Sequence, residues 1–361
     1  MGRMRLRELG IRIGWLPTGP HNAITDVPGV WVGHTTLIED QPRVLRTGVT
    51  MVVPREGEIW RDHAFAGCHV FNGNGEMTGL PWIEESGLLT TPIGLTNTHS
   101  VGVVRDALVA YAAEHGYLHD FLLPVVAETC DGRLNDINAF AVTARHAFEA
   151  LAAARGGPVP EGSVGGGTGM ICHGFKAGIG TASRVVESDS GRFTVGALVQ
   201  ANYGAKEALR VEGVPVGREL VQQAAERPIA EAPAEPAAGS IIVILATDAP
   251  LLPIQCRRLA RRATVGLARA GGVGYNSSGD LFLAFATGNS VPIHPTGPLT
   301  LHMLPHAHLN PFFDAAAEAV EEAILNSLTA AETMTGIGGF TAPALPLDEV
   351  RAVMRRYRPA E

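Results

Sequence analysis

The chain is poor in lysine: Lys176 and Lys206 are the only two among 361 residues. Neither closes a GK[ST] phosphate loop and no strict GxGxxG spacing occurs, so the run "SVGGGTGMICHGFKAGIGTAS" is not read as a nucleotide-binding element. Its glycines are expected instead to bring backbone close to another strand or to a peptide-like ligand. Positive charge is scarce overall, and a formal net charge of −8 excludes the basic face that nucleic-acid binding requires. Four cysteines, Cys68, Cys130, Cys172 and Cys256, lack CxxC or zinc-like spacing and imply neither a disulfide framework nor a thiolate metal site. No uninterrupted apolar run approaches the ~18 residues of a membrane span. The opening "MGRMRLRELGIRIGWLPTG" has no apolar signal region, so a soluble, cytoplasmic protein is expected.

One further absence concerns metals. "LHMLPHAHLNP" gathers His302, His306 and His308, but Pro305 breaks any helix that would align them and no companion carboxylate site stands out. No metal is expected there.

What is present is glycine (43) and proline (24), punctuating short strand-like runs such as "GVTMVVP", "FTVGALVQA" and "DLFLAFAT". Three longer segments read as helices, at 101–116, 137–157 and 310–336, the last with Asn310 as N-cap and Pro311 at the first helical position. Arg257, Arg258, Arg261 and Arg262 read as the wet side of another amphipathic helix. Strands and helices mix without a strict βαβ beat, which favours sheets covered by helices over a doubly wound parallel fold. The Pro-, Ala- and Glu-rich stretch 226–238 reads as an exposed linker between parts of 239 and 122 residues that share one core.

That linker ends in Gly239–Ser240, directly before the unbroken apolar run Ile241–Ala246, a buried strand. Loops commonly end in Gly-Ser before a strand, and the dipeptide alone decides nothing. It also permits a specific chemistry. Attack of the Ser240 hydroxyl on the Gly239 carbonyl gives an ester that water opens, leaving Ser240 as a new N-terminus. Glycine leaves that carbonyl sterically open. The freed α-amine, with a pKa of about 7.7–8.0, can accept the proton of its own hydroxyl, so nucleophile and base reside in one residue.

The blocks "NAITDVPGVWVGHTTL", "WIEESGLLTTPIGLTNTHSVGVVRDA", "PVVAETCDGRLNDIN", "SVGGGTGM", "VQANYG", "GSIIVILATDAPL", "NSSGDLFLAFAT" and "EEAILNSLTAAETMTG" resemble the family of L-aminopeptidase/D-Ala-esterase/amidases and β-peptidyl aminopeptidases over nearly the whole chain. The resemblance implies a four-layer α/β/β/α sandwich, similar to the N-terminal nucleophile hydrolases but differently connected. It implies a single-domain precursor that cuts itself at Gly239–Ser240 and assembles as a homotetramer. Its substrates would be short peptides, amino-acid amides or esters with a free amine, and no metal or organic cofactor would be needed. By the same resemblance Ser240 matches the nucleophile, Asn202 the oxyanion-hole amide, and Ser278 and Asp280 the pair that orients the amine. Glu128 matches the carboxylate that meets the substrate's ammonium group. Where the family's pattern leads us to expect tyrosine, two residues after Glu128, stands Cys130, a weaker and shorter donor at a substrate-binding position. Two other readings stay open: an acyltransferase using the same nucleophile, as in the similarly folded ornithine acetyltransferases, and a non-catalytic binding protein that has kept the fold.

Overall fold

The structure, a computed structural model, describes residues 2–118, 120–225 and 239–358. The linker expected at 226–238 lies outside the described residues. Twelve strands carry the architecture: β1 (Trp31–Glu39), β2 (Leu45–Val53), β3 (Asp62–Gly73), β4 (Leu88–Leu89), β5 (Ile93–Asn97), β6 (Val125–Thr129), β7 (Ile171–Cys172), β8 (Phe175–Lys176), β9 (Ile179–Ser188), β10 (Gly191–Asn202), β11 (Ser240–Thr247) and β12 (Gly279–Pro292). The helices are α1 (Leu80–Ser86), α2 (Val101–Glu114), α3 (Ala144–Ala152), α4 (Val216–Ala225), α5 (Pro253–Ala260), α6 (Ala263–Arg269), α7 (Asn310–Ala330) and α8 (Leu347–Tyr357).

One sheet runs β1-β2-β5-β6 and the other β4-β3-β12-β11-β10-β9, while β7 and β8 form a small hairpin. Helices α2 and α3 cover the first sheet; α5 and α7 cover the second, with α6 packed on α7. Strand β11 shows why the layers stack in this way. Ile242, Ile244 and Ala246 join Met51, Leu95 and Leu198 in the core between the sheets, whereas Ile241, Val243 and Leu245 pack with Val320 and Ala323 of α7. A strand buried on both faces reads as continuous apolar sequence. The result is helix, sheet, sheet, helix, the four-layer arrangement that the resemblance implied.

The glycine-rich run closes these layers. A Cβ on Gly166 would fall 2.7 Å from the Leu95 carbonyl oxygen, and one on Gly180 would fall 1.9 Å from that of Ala323. The close approach is thus to the protein's own β5 and α7. Across the gap between the sheets, the Gln200 carboxamide on β10 donates to the Thr96 carbonyl and to Thr129 Oγ1, both at 2.9 Å.

Four sequence expectations change. The helix expected over 137–157 begins only at Ala144, because Phe140 takes a φ of 48°, left-handed backbone that no helix passes through. The helix expected to reach 336 ends at Ala330, where Ala331 turns extended and Met334–Thr335 pairs with Thr341–Ala342. At its start Leu309, not Asn310, occupies the cap, and Pro311 falls in the first turn. The arginine cluster spans α5 and α6, and only part of it is wet: the Arg258 and Arg262 guanidinium groups lie over the Phe313 ring, at 5.2 and 3.8 Å.

Arg184 on β9 is fully buried, its Nε 2.8 Å from Glu318 and its Nη2 2.7 Å from Glu322, both on α7. Arg7 reaches Glu322 at 2.7 Å and Asn22 donates to it at 2.6 Å, so the cluster ties the N-terminal segment, β9 and α7 together. Removing its centre would leave the buried Glu318 without its cation and Glu322 with Arg7 alone. Arg184→Leu is expected to lower stability by about 3–5 kcal/mol, measured by urea unfolding at neutral pH.

Candidate active site

β11 begins at Ser240, in antiparallel register with Asn202, the last residue of β10; on its other side Ile241 pairs in parallel with Asp280 of β12. The chain reaches Ser240 through a gap that excludes side chains. A Cβ on Gly239 would fall 2.1 Å from the Asn202 carbonyl oxygen and 2.6 Å from Tyr203 Cα. Ser240 Oγ accepts the Gly279 N–H at 3.1 Å and is nearly buried. Ser278 Oγ donates to Asp280 Oδ1 at 2.7 Å, while Oδ2 of the same carboxylate has no partner among the described residues. Burial pushes the Asp280 carboxyl above the usual carboxylate range, opposed by the Ser278 hydroxyl and the Ile241 N–H.

The Asn202 carboxamide is held at both ends. Oδ1 accepts the Ile171 N–H and Nδ2 donates to the Cys130 carbonyl, each at 2.9 Å. These contacts fix which atom is nitrogen and leave its second N–H for another acceptor. Cys130 therefore enters through its main chain, and its side chain is exposed.

Glu128 comes from the other sheet, on β6. Its Oε1 accepts the Glu76 N–H at 3.0 Å and its Oε2 accepts the Thr98 hydroxyl. Gly75 separates it from the serine's surroundings: a Cβ there would stand 3.1 Å from Gly279 Cα and 3.4 Å from Glu128 Oε1. One backbone thickness thus lies between the Glu128 carboxylate and the residue whose N–H holds Ser240. Burial raises the Glu128 carboxyl above its ordinary range, more than the Thr98 and Glu76 hydrogen bonds lower it.

Ser240, Asn202, Ser278 and Asp280 are thus brought together, with Gly239 beside them and Glu128 facing them across Gly75. Sequence reading had not singled out Thr98, Gly75, Ile171 or Tyr203. Thr98 and Tyr203 lie inside the quoted "TNTHS" and "NYG" stretches, whereas Ile171 acts through its N–H, which leaves no side-chain signature. Elsewhere, His306 Nδ1 meets Arg258 at 3.0 Å and His308 Nδ1 meets Ser190 at 2.7 Å. Among the described residues no group of three His, Cys, Asp or Glu side chains is placed to hold a metal, and no helix is long and apolar enough to cross a membrane.

Two facing sheets between helices, with a serine at the head of an inner strand, define a variant of the N-terminal nucleophile hydrolase fold. The model of peptidase family S58 matches residues 22–342, and the chain belongs to that family. It is 48% identical to the beta-peptidyl aminopeptidase BapA of Sphingosinicella microcystinivorans, over 98% of this chain and 92% of the relative. Among solved structures, the Burkholderia sp. beta-aminopeptidase superposes with a TM-score of 0.91 at 53% identity, covering 99% of this chain and all of the other. The L-aminopeptidase D-Ala-esterase/amidase of Ochrobactrum anthropi, a prototype for the serine aminopeptidases and a new variant among the Ntn hydrolase fold, gives 0.89 at 45% identity and 98% of both chains.

A carboxyl whose pKa rises on folding binds protons more tightly in the native state, so its ionisation costs stability as pH climbs past the unfolded value. Glu128→Gln removes that cost. The variant is expected to melt above the parent at pH 7–8, with the gap closing as pH falls below about 4, where the parent's carboxyl becomes protonated in both states. Melting scans across this range check it.

Proposed function

We propose that the chain is a self-processing serine aminopeptidase that removes N-terminal residues from short peptides, amides or esters. The observation that carries this reading is the setting of Ser240. It heads a buried strand immediately after a glycine that only glycine can replace, with the Gly279 N–H on its oxygen and an unpartnered Asp280 oxygen nearby. Cutting at Gly239–Ser240 would give chains 1–239 and 240–361 within one domain and free an α-amine beside Asp280. That amine takes the proton from Ser240 Oγ as the hydroxyl attacks the substrate carbonyl, and the acyl-enzyme is then opened by water.

Each neighbouring group has a role in this scheme. The free N–H of Asn202 Nδ2 stabilises the oxyanion, and Cys130 contributes by holding that amide with its carbonyl. Ser278 fixes Asp280, which orients the amine. Glu128, buried and not paired with an arginine or lysine among the described residues, receives the substrate's ammonium group, and a blocked N-terminus would leave its charge poorly compensated. The names of the relatives add β-amino acid residues to the substrates to be tried. A homotetramer in the cytoplasm completes the proposal.

The experiment is an intact-mass time course on denatured protein. Dividing 38.0 kDa in proportion to 239 and 122 residues gives fragments of about 25 and 13 kDa. Ser240→Ala is expected to stay whole and inactive, and a split Ser240→Ala chain would refute the reading. In processed enzyme Glu128→Gln should lower kcat/KM for aminoacyl p-nitroanilides by about tenfold to a hundredfold, as loss of a hydrogen bond to a charged group would. Unchanged kinetics would remove Glu128 from the site.

A further inference from the structure

Tyr203 follows the oxyanion candidate directly and has no part in the scheme above. Its ring is 4% exposed and is set by its surroundings: the His173 ring meets it edge-on at 4.9 Å, and the Tyr203 carbonyl accepts the His173 N–H at 2.7 Å. The phenol oxygen is buried and has no hydrogen-bond partner of normal geometry among the described residues, although the weakly polar Cys172 thiol lies beside it. Buried hydroxyls without partners are rare, and each calls for a physical reason.

The surroundings supply one. Tyr203, Gly239, Ser278 and Asp280 line the same small cavity, with Leu267 and Val273 closing it. Its volume, about 10 Å3, is at the size of a single water. Two of the residues that line it, Tyr203 and Asp280, carry buried oxygens without partners among the described residues, Tyr203 Oη and Asp280 Oδ2. A water there has the polar partners it needs and stands against the residue whose carbonyl must be hydrolysed.

We propose that this cavity seats the water that completes self-cleavage, held between the Tyr203 hydroxyl and Asp280 Oδ2. The inference rests on the self-processing reading and assigns its second step. In the first step Ser240 Oγ bonds to the Gly239 carbonyl carbon, the C–N bond breaks and the hydroxyl proton passes to the nitrogen; no water is consumed. In the second, the water oxygen bonds to the same carbon and one water proton passes to Asp280. The carbon–Oγ bond then breaks and Oγ takes that proton. Gly239 leaves as a carboxylate, its acid proton ending on the Ser240 amine. Tyr203 donates to the water and keeps its own proton, so it is a positioning residue. Burial, with the Asp280 carboxylate behind it, holds the phenol well above its ordinary pKa and so in the donor form.

Tyr203→Phe deletes the donor alone. In the intact-mass time course the variant is expected to split at least about tenfold more slowly than the parent. Hydroxylamine, which opens esters and spares amides, should restore its splitting, because the first step is untouched. Splitting at the parent rate would overturn the proposal, as would slow splitting that hydroxylamine does not accelerate. A parent chain that never splits would instead remove the self-processing reading itself, a separately visible outcome. A high-resolution crystal structure of unsplit Ser240→Ala gives a second test that does not depend on Tyr203→Phe folding. A water within about 2.6–3.2 Å of both oxygens supports the proposal, and a site without one overturns it.

Discussion

Two carboxamides on one strand hold the candidate site together. Gln200 and Asn202 lie two residues apart on β10 and so project from the same face. Gln200 binds Thr96 and Thr129 of the facing sheet, and Asn202 binds the Cys130 carbonyl just beyond it. Contact between the sheets is otherwise largely apolar, and apolar contact is non-directional. Directed hydrogen bonds are what fix the separation between Ser240 on one sheet and Glu128 on the other. Because β10 pairs with β11 from Asn202↔Ser240 inward, the same strand also sets the height of the serine.

The site is assembled at a cost to the fold. Glu128 and Asp280 are both buried with raised pKa values, and neither is paired with an arginine or lysine among the described residues. The layers around them offset this with two large apolar cores and with the Arg184 cluster, in which the carboxylates are paired. Breaking the local rule only where substrate or nucleophile must bind is the pattern expected of a functional site.

Much of the architecture was legible in the residues. The continuous apolar run after Ser240 announced a strand buried on both sides, and the glycines of 165–180 announced close backbone approach. Positions depending on a single backbone torsion were not legible, as Phe140 shows by delaying α3 by seven residues beyond the start expected at 137. Nor was the fate of Arg258 and Arg262, since their stacking on Phe313 depends on how α5 meets α7. The site residues came from resemblance rather than composition. What the residues alone could not show was that Glu128 would face Ser240 across Gly75, because that proximity joins two sheets and leaves no mark on either strand's pattern.

The Arg184 cluster acquires another meaning if the chain is cut after Gly239. Arg7, Asn22 and Arg184 would then belong to one product and Glu318 and Glu322 to the other, so this buried ion cluster would become an interface between two polypeptides. Losing the fold would become a dissociation, with a midpoint that moves with protein concentration. Folding would be a unimolecular event available once, before the cut, and the mature enzyme would persist through the slowness of its separation rather than through ready return.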